Sequence, residues 1–218
     1  MTVPFYVSPE QLMKDRAEFA RKGIARGRPV LVLSCADGIL LLAENPSTSL
    51  HKIAEIYDRI GFAAVGKYNE FEGLRQAGVR YADLRGYSYD RGDVSARGLA
   101  NAYAQTLAGV FTTEQKPFEV DLVVAELGAA PEADRLFRIG FDGSVSHERG
   151  HVALGAGADA IARRLAAVDV TGLGLAAALR TGREAMGLAE DSGTGVEAAL
   201  LDRAADGRRT FRRLEEDA

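Results

Sequence analysis

Apolar positions along this chain change rhythm several times, and each change marks an element. Between Ser8 and Gly27, in "SPEQLMKDRAEFARKGIARG", Leu12, Phe19, Ala20 and Ile24 form a stripe at helical spacing. Lys14, Asp15, Arg16, Glu18, Arg21 and Lys22 occupy the remaining surface. Ser8 is placed to cap this helix, Pro9 takes its first position and Gln11 completes a capping box, while Gly27 and Pro29 stop it. A well-specified helix therefore precedes every strand pattern in the chain.

The rhythm then shortens. In "PVLVLSCADGILLLAEN" two apolar runs of strand length flank Ala36-Asp37-Gly38, a hairpin signal. "HKIAEIYDRIGFAAVG" supplies a second pair, turning near Asp58 and Arg59. Nearly every position of the first pair is apolar, so that sheet is expected to be covered on both faces. Helical spacing returns from about Lys67 to Arg85 and from about Ser95 to Phe111, with Asp93 a cap candidate for the second helix. Strand patterns resume in "FEVDLVVAEL", "RLFRIGF", "SVSHE" and "HVALGAG". Helices near Asp159 to Ala167 and Leu173 to Leu188 precede two closing strands, "VEAALLD" and "RRTFRRLEE", joined around Ala205-Asp206-Gly207.

Strands thus come in hairpins and helices in pairs, which disfavours a parallel βαβ sheet. Two antiparallel sheets packed face to face, with a helix pair outside each, would bury both kinds of apolar strand. The expectation is an α+β, four-layer αββα sandwich with an extra N-terminal helix, in one domain over residues 1–218.

Composition adds few constraints. The 218 residues are 47% apolar and 27% charged, within the range of ordinary globular chains. A net charge of −4 gives no basic field to attract nucleic acid. No apolar run approaches the roughly 18 to 20 residues of a membrane span, and no signal-peptide pattern opens the chain. The single cysteine, Cys35, lies in an apolar strand run, so no internal disulfide is possible and a small buried side chain is expected there. These features together predict a cytoplasmic protein without nucleic-acid or membrane partners.

Three motif matches are weak on their own mechanics. "HERGH", His147 to His151, fits a zinc motif that needs one helix through both histidines, but Gly150 interrupts it and strand patterns flank it. "GAGADA", from Gly155, and "GLGLAA", from Gly172, match a dinucleotide fingerprint whose phosphate-binding turn requires a parallel βαβ unit. There is no nucleophile elbow for Cys35 or any serine. An αββα sandwich does suggest enzymes whose nucleophile opens the first strand and uses its own α-amine as base.

At this point a long block of residues resembles a known family. "SPEQLMKDRAEFARKGIARG", "ADGILLLAENPSTSLHKIAEIYDRIGFAAVGKYNEFEGLRQAGVRYADLRGYSYDR" and "LANAYAQTL" are similar to the α-type subunit of the 20S proteasome in its actinobacterial form. "RLFRIGFDGS", "GHVALGAG" and "RRTFRRL" fit more loosely. The resemblance implies a seven-membered ring of this chain capping rings of β-type subunits, which carry the threonine nucleophile. It implies no cofactor and no metal. Aligning the Asp37-Gly38 turn with that of β-type subunits puts Arg28 at the nucleophile position, followed by Pro29, and neither has a hydroxyl or thiol. Thr2 lies a whole helix away, so a self-sufficient N-terminal-nucleophile amidohydrolase is the alternative rather than the first reading.

The same resemblance divides the chain by role. Residues 1–7 would line or close the axial pore, which names Thr2, Val3, Pro4, Phe5, Tyr6 and Val7 as the gate. Residues 8–27 form the helix behind it, 28–214 the sandwich and 215–218 a tail. Lys52 matches a pocket lysine between neighbouring α-type subunits that pairs with the C-terminal carboxylate of a ring-shaped ATPase activator. From the residues alone, Lys52 reads as a solvated charge on an edge strand. Pro9 and Gly27 correspond to pocket-wall or gate-support positions. Substrates in transit would be unfolded proteins, tagged in the bacterial family by a ubiquitin-like modifier.

Overall fold

Strands Val30–Cys35 (β1) and Gly38–Glu44 (β2) are joined by a two-residue turn, Ala36-Asp37, with Cys35 opposite Gly38. The turn requires glycine at its end: Gly38 has φ +152°, and a Cβ there would sit 2.0 Å from the Leu201 carbonyl oxygen. In this computed structural model, which describes residues 8–188 and 195–214, the hairpin is the middle of a five-stranded antiparallel sheet. Its neighbours are His151–Leu154 (β8) beside β1 and Val196–Asp202 (β9) beside β2, with Phe211–Leu214 (β10) outermost. Residues 1–7 and 215–218, and all but the last glycine of "DSGTG", lie outside the described residues.

A second five-stranded antiparallel sheet follows chain order: Ile53–Tyr57 (β3), Ile60–Gly66 (β4), Val120–Glu126 (β5), Arg135–Ile139 (β6) and Val145–Glu148 (β7). The two sheets stack, and strand alternation divides their side chains between three cores. Val30, Val32, Leu41, Val65 and Val123 fill the space between the sheets. Leu31, Leu33, Leu40 and Leu42 turn outward, beneath helices Ala158–Leu165 (α4) and Leu175–Met186 (α5). Phe62, Leu122 and Val124 turn the other way, beneath Tyr68–Ser88 (α2) and Ala96–Thr113 (α3). This is the four-layer αββα arrangement. β1 is buried along its whole length, as expected for a hairpin covered on both faces, and Cys35 is fully buried in it.

The first helix, Pro9–Ala25 (α1), departs from its sequence reading in two ways. Ser8 does cap it, its Oγ accepting from the Gln11 amide at 3.2 Å. The reciprocal half of the capping box is not made, because the Gln11 side chain donates to Asp15 Oδ1 at 2.7 Å instead. Nor does the whole apolar stripe face the body: Ala20 and Ile24 are buried, whereas Leu12 and Phe19 remain about half exposed. Ala20 and Ile24 belong to the core between the sheets. The C-terminal half of α1 therefore fills the mouth of the sandwich. Burying a side chain such as Ile24 is worth about 1.5–3 kcal/mol, enough for one turn to anchor the helix.

A smaller correction concerns α3. Ser95 caps it, with Oγ 3.2 Å from the Gly98 amide, and Asp93 closes a short 3-10 turn, Arg91–Asp93, just before it. Among the described residues no helix is long and apolar enough to cross a membrane.

Candidate functional site

Lys52 ends the loop between β2 and β3, and its half-buried side chain folds back across the start of β1. Its Nζ donates to the Arg28 carbonyl at 2.9 Å. The Arg28 guanidinium is itself paired with Glu44 Oε1 at 2.8 Å, at the end of β2. Burial draws the Lys52 pKa down to about 8; Glu44 and Glu197 oppose that shift and Arg28 adds to it. A lysine held this way is charged near neutrality but close to losing its proton, unlike a free surface lysine.

Gly27 lies one residue before Arg28, so it shares this corner with Lys52. Its carbonyl accepts from the Ala156 amide at 2.8 Å, and a Cβ on Gly27 would sit 2.4 Å from Val65 Cγ1. Glycine is required because the end of α1 presses directly onto β4. Pro9 is elsewhere: it is exposed at the far end of the helix, about 24 Å away at the usual helical rise. One copy of the chain thus brings Lys52 and Gly27 together and leaves Pro9 apart. The gate residues Thr2 to Val7 lie outside the described residues.

Sequence reasoning missed the residue that organises this corner. Glu197 reaches from β9 to accept from the Lys52 amide at 2.8 Å and the Ile53 amide at 3.2 Å. The only signal was a carboxylate in "VEAALLD", a strand otherwise apolar until its last residue.

A family model described as "Proteasome subunit" matches residues 24–200. The chain belongs to the proteasome subunit family. Its relatives place it with the α-type members. A protein named "Proteasome subunit alpha" from Kineococcus radiotolerans is 63% identical, over 98% of this chain and 94% of that one. Namesakes from Xylanimonas cellulosilytica and Paenarthrobacter aurescens are 62% and 61% identical, each over 98% of this chain and over 93% and 94% of their own.

In this α-type proteasome chain the start of β1 lies close behind α1. Arg28 and Pro29 run on directly from α1, whose Ile24 is packed in the mouth beside them. The other motif matches resolve structurally. In "HERGH", His147 lies on β7 in one sheet, tilted against Phe137 with ring centres 5.2 Å apart, while His151 opens β8 in the other sheet. The stretch is strand, turn and strand, so the helical spacing that zinc ligation needs is lacking. "GAGADA" does connect a strand to α4, but β8 pairs antiparallel with β1, so no βαβ unit exists there. "GLGLAA" runs from the turn at Gly172 into the start of α5, with no strand directly ahead of it.

At the opposite end of the sandwich a second polar centre is closed on itself. Asp134, almost fully buried, takes Arg203 through both carboxylate oxygens at 3.1 and 3.0 Å. It also accepts from Ser34 Oγ at 2.6 Å and the Gly128 amide at 2.7 Å. Every carboxylate lone pair has a donor, which makes this a fastening between the sheets rather than a reactive triad.

Proposed function

We propose that this chain is a non-catalytic, ring-forming subunit of a proteasome core. In this reading copies of the chain form the outer ring, gate entry through residues 1–7, template β-type rings and dock a ring-shaped ATPase. The particle degrades unfolded proteins in the cytoplasm, the peptide-bond chemistry residing in the β-type subunits. One observation carries this: α1 continues without a break into β1 and packs Ala20 and Ile24 into the mouth of the sandwich. An enzyme of this fold needs its first strand to begin with a free amine and a nucleophile, whereas here Arg28 and Pro29 lead from a helix into a strand that opens at Val30.

The Lys52 corner supports the docking role. A partly desolvated ammonium, pinned beside the helix end, matches a terminal carboxylate in charge and in hydrogen-bonding capacity. Pro9 would meet such a pocket only if supplied by a neighbouring copy, which is consistent with a site shared across a ring. Co-expression with a β-type chain, followed by electron microscopy and peptidase assay, tests the reading. Stacked rings, with hydrolysis only when the β-type chain is present, are expected. A monomeric product beside its partner, or peptidase activity of this chain alone, would reject it.

A further inference from the structure

We propose that Glu197 is the positioning residue of the Lys52 site: its buried carboxylate fixes the Lys52 backbone and so sets how the ammonium is presented to an incoming carboxylate. This rests on the docking role proposed for Lys52. Glu197 stands opposite Ala43 in the β2–β9 pairing, and its side chain is only 8% exposed. From there it crosses to the other sheet, where the Lys52 and Ile53 amides donate to Oε2 and Oε1. Two side chains complete the shell: Asn45 Nδ2 donates to Oε2 at 2.9 Å and Arg213 Nη1 to Oε1 at 2.8 Å. Asn45 also donates to the Leu50 carbonyl at 2.7 Å, so one carboxylate and one amide fasten both ends of the loop that carries Lys52.

Lys52 is therefore held at its backbone by Glu197 and at its tip by the Arg28 carbonyl. A lysine stretched between two anchors has already lost much of the rotamer freedom that docking would otherwise cost. The charged groups facing it are Glu44 from β2, Arg28 ahead of β1, Glu197 from β9 and the adjacent His51, whose Nδ1 lies 3.3 Å from Glu197 Oε1. Among these, Glu197 does two things: it fixes the geometry and its negative charge favours the protonated amine.

The test uses the particle assembled with β-type subunits. The probe is a peptide ending in the activator's C-terminal residues with a free carboxylate, and the amidated peptide is the control. Peptide hydrolysis is followed against probe concentration and pH for wild type, Glu197→Gln, Glu197→Asp and Lys52→Ala. In Glu197→Gln the half-maximal probe concentration should rise about threefold to tenfold, and the alkaline limit of stimulation should move to lower pH. Glu197→Asp, which keeps the charge but is too short to hold both amides, should weaken binding without moving that limit. A role confined to holding the fold would not move the pH limit in one variant and spare it in the other. Wild-type response in Glu197→Gln overturns the inference, as does failure of both Glu197 variants to form rings. If Lys52→Ala responds like wild type, the docking role itself fails. If Lys52→Ala is unresponsive while Glu197→Gln matches wild type, only the positioning role is lost.

Discussion

Arg16 of α1 grips the C-terminal end of α3, its Nη1 donating to the Phe111 carbonyl at 2.8 Å. Further bonds reach the carbonyls of Thr112 and Glu114, where a helix end leaves acceptors without intrahelical partners. A cation at that end also complements the helix dipole. Arg16→Ala should lower stability by about 1.5–3 kcal/mol, the usual worth of hydrogen bonds to a charged group. Amide exchange should rise in α1 more than in the sheets. Equal protection of α1 in both proteins would show that Ala20 and Ile24 suffice to seat it.

Lys52 provides a pH dependence. Its pKa is drawn below the ordinary lysine value to about 8, so the amine is mostly protonated below that pH and mostly neutral above it. A terminal carboxylate remains charged throughout, so docking should weaken as pH rises through about 8, well below the range in which a free lysine would respond. Stimulation by the activator peptide, measured between pH 7 and 10 against unstimulated hydrolysis, checks this. Stimulation that holds level to pH 10 would contradict it. Lys52→Ala should remove the response at every pH.

The pair formed by Asp134 and Arg203 holds the end of the sandwich far from Lys52. Asp134→Ala would strand the Arg203 guanidinium, itself mostly buried, with only backbone carbonyls as partners. Removing one member of a buried pair costs about 3–5 kcal/mol. A clear fall in the denaturant midpoint is expected, and a change below about 1 kcal/mol would mean that water reaches the site.

Gating is tested by deletion. Removing Met1 to Val7 should raise hydrolysis of small peptides by the assembled particle and reduce the further gain from an activator. Unchanged rates would take the gate away from these residues.

Period and punctuation in the sequence carried most of the architecture. The Ala36-Asp37 turn, the covered first hairpin and the helix pairs follow from local rhythm, because strand alternation and helix spacing are properties of neighbouring residues. What local rhythm cannot report is the choice among equivalent partners. Asp93 and Ser95 are both competent caps, and the chain's turn into α3 selects Ser95. Leu12 and Phe19 look as apolar as Ala20 and Ile24, yet only the latter face the mouth between the sheets. Lys52 was found through resemblance, whereas Glu197 was not, since its bond to Lys52 joins a loop and a strand 145 residues apart. Charged hubs of this kind become visible only once both sheets exist.

The two sheets also differ in how the chain supplies them. β3 through β7 are consecutive, so that sheet and the helices over it are complete once residue 148 is made. β1 and β2, the most apolar hairpin, must wait for β8 on one side and β9 on the other. Pairing β2 with β9 brings together segments more than 150 residues apart, and such distant pairings are slow to form. During synthesis the early hairpin therefore remains open at both edges until β8 emerges, and at its β2 edge until β9 does. A ribosome stalled before Val196 would hold one finished sheet beside one unfinished, sticky one, and that interval is when a chaperone would have most to do.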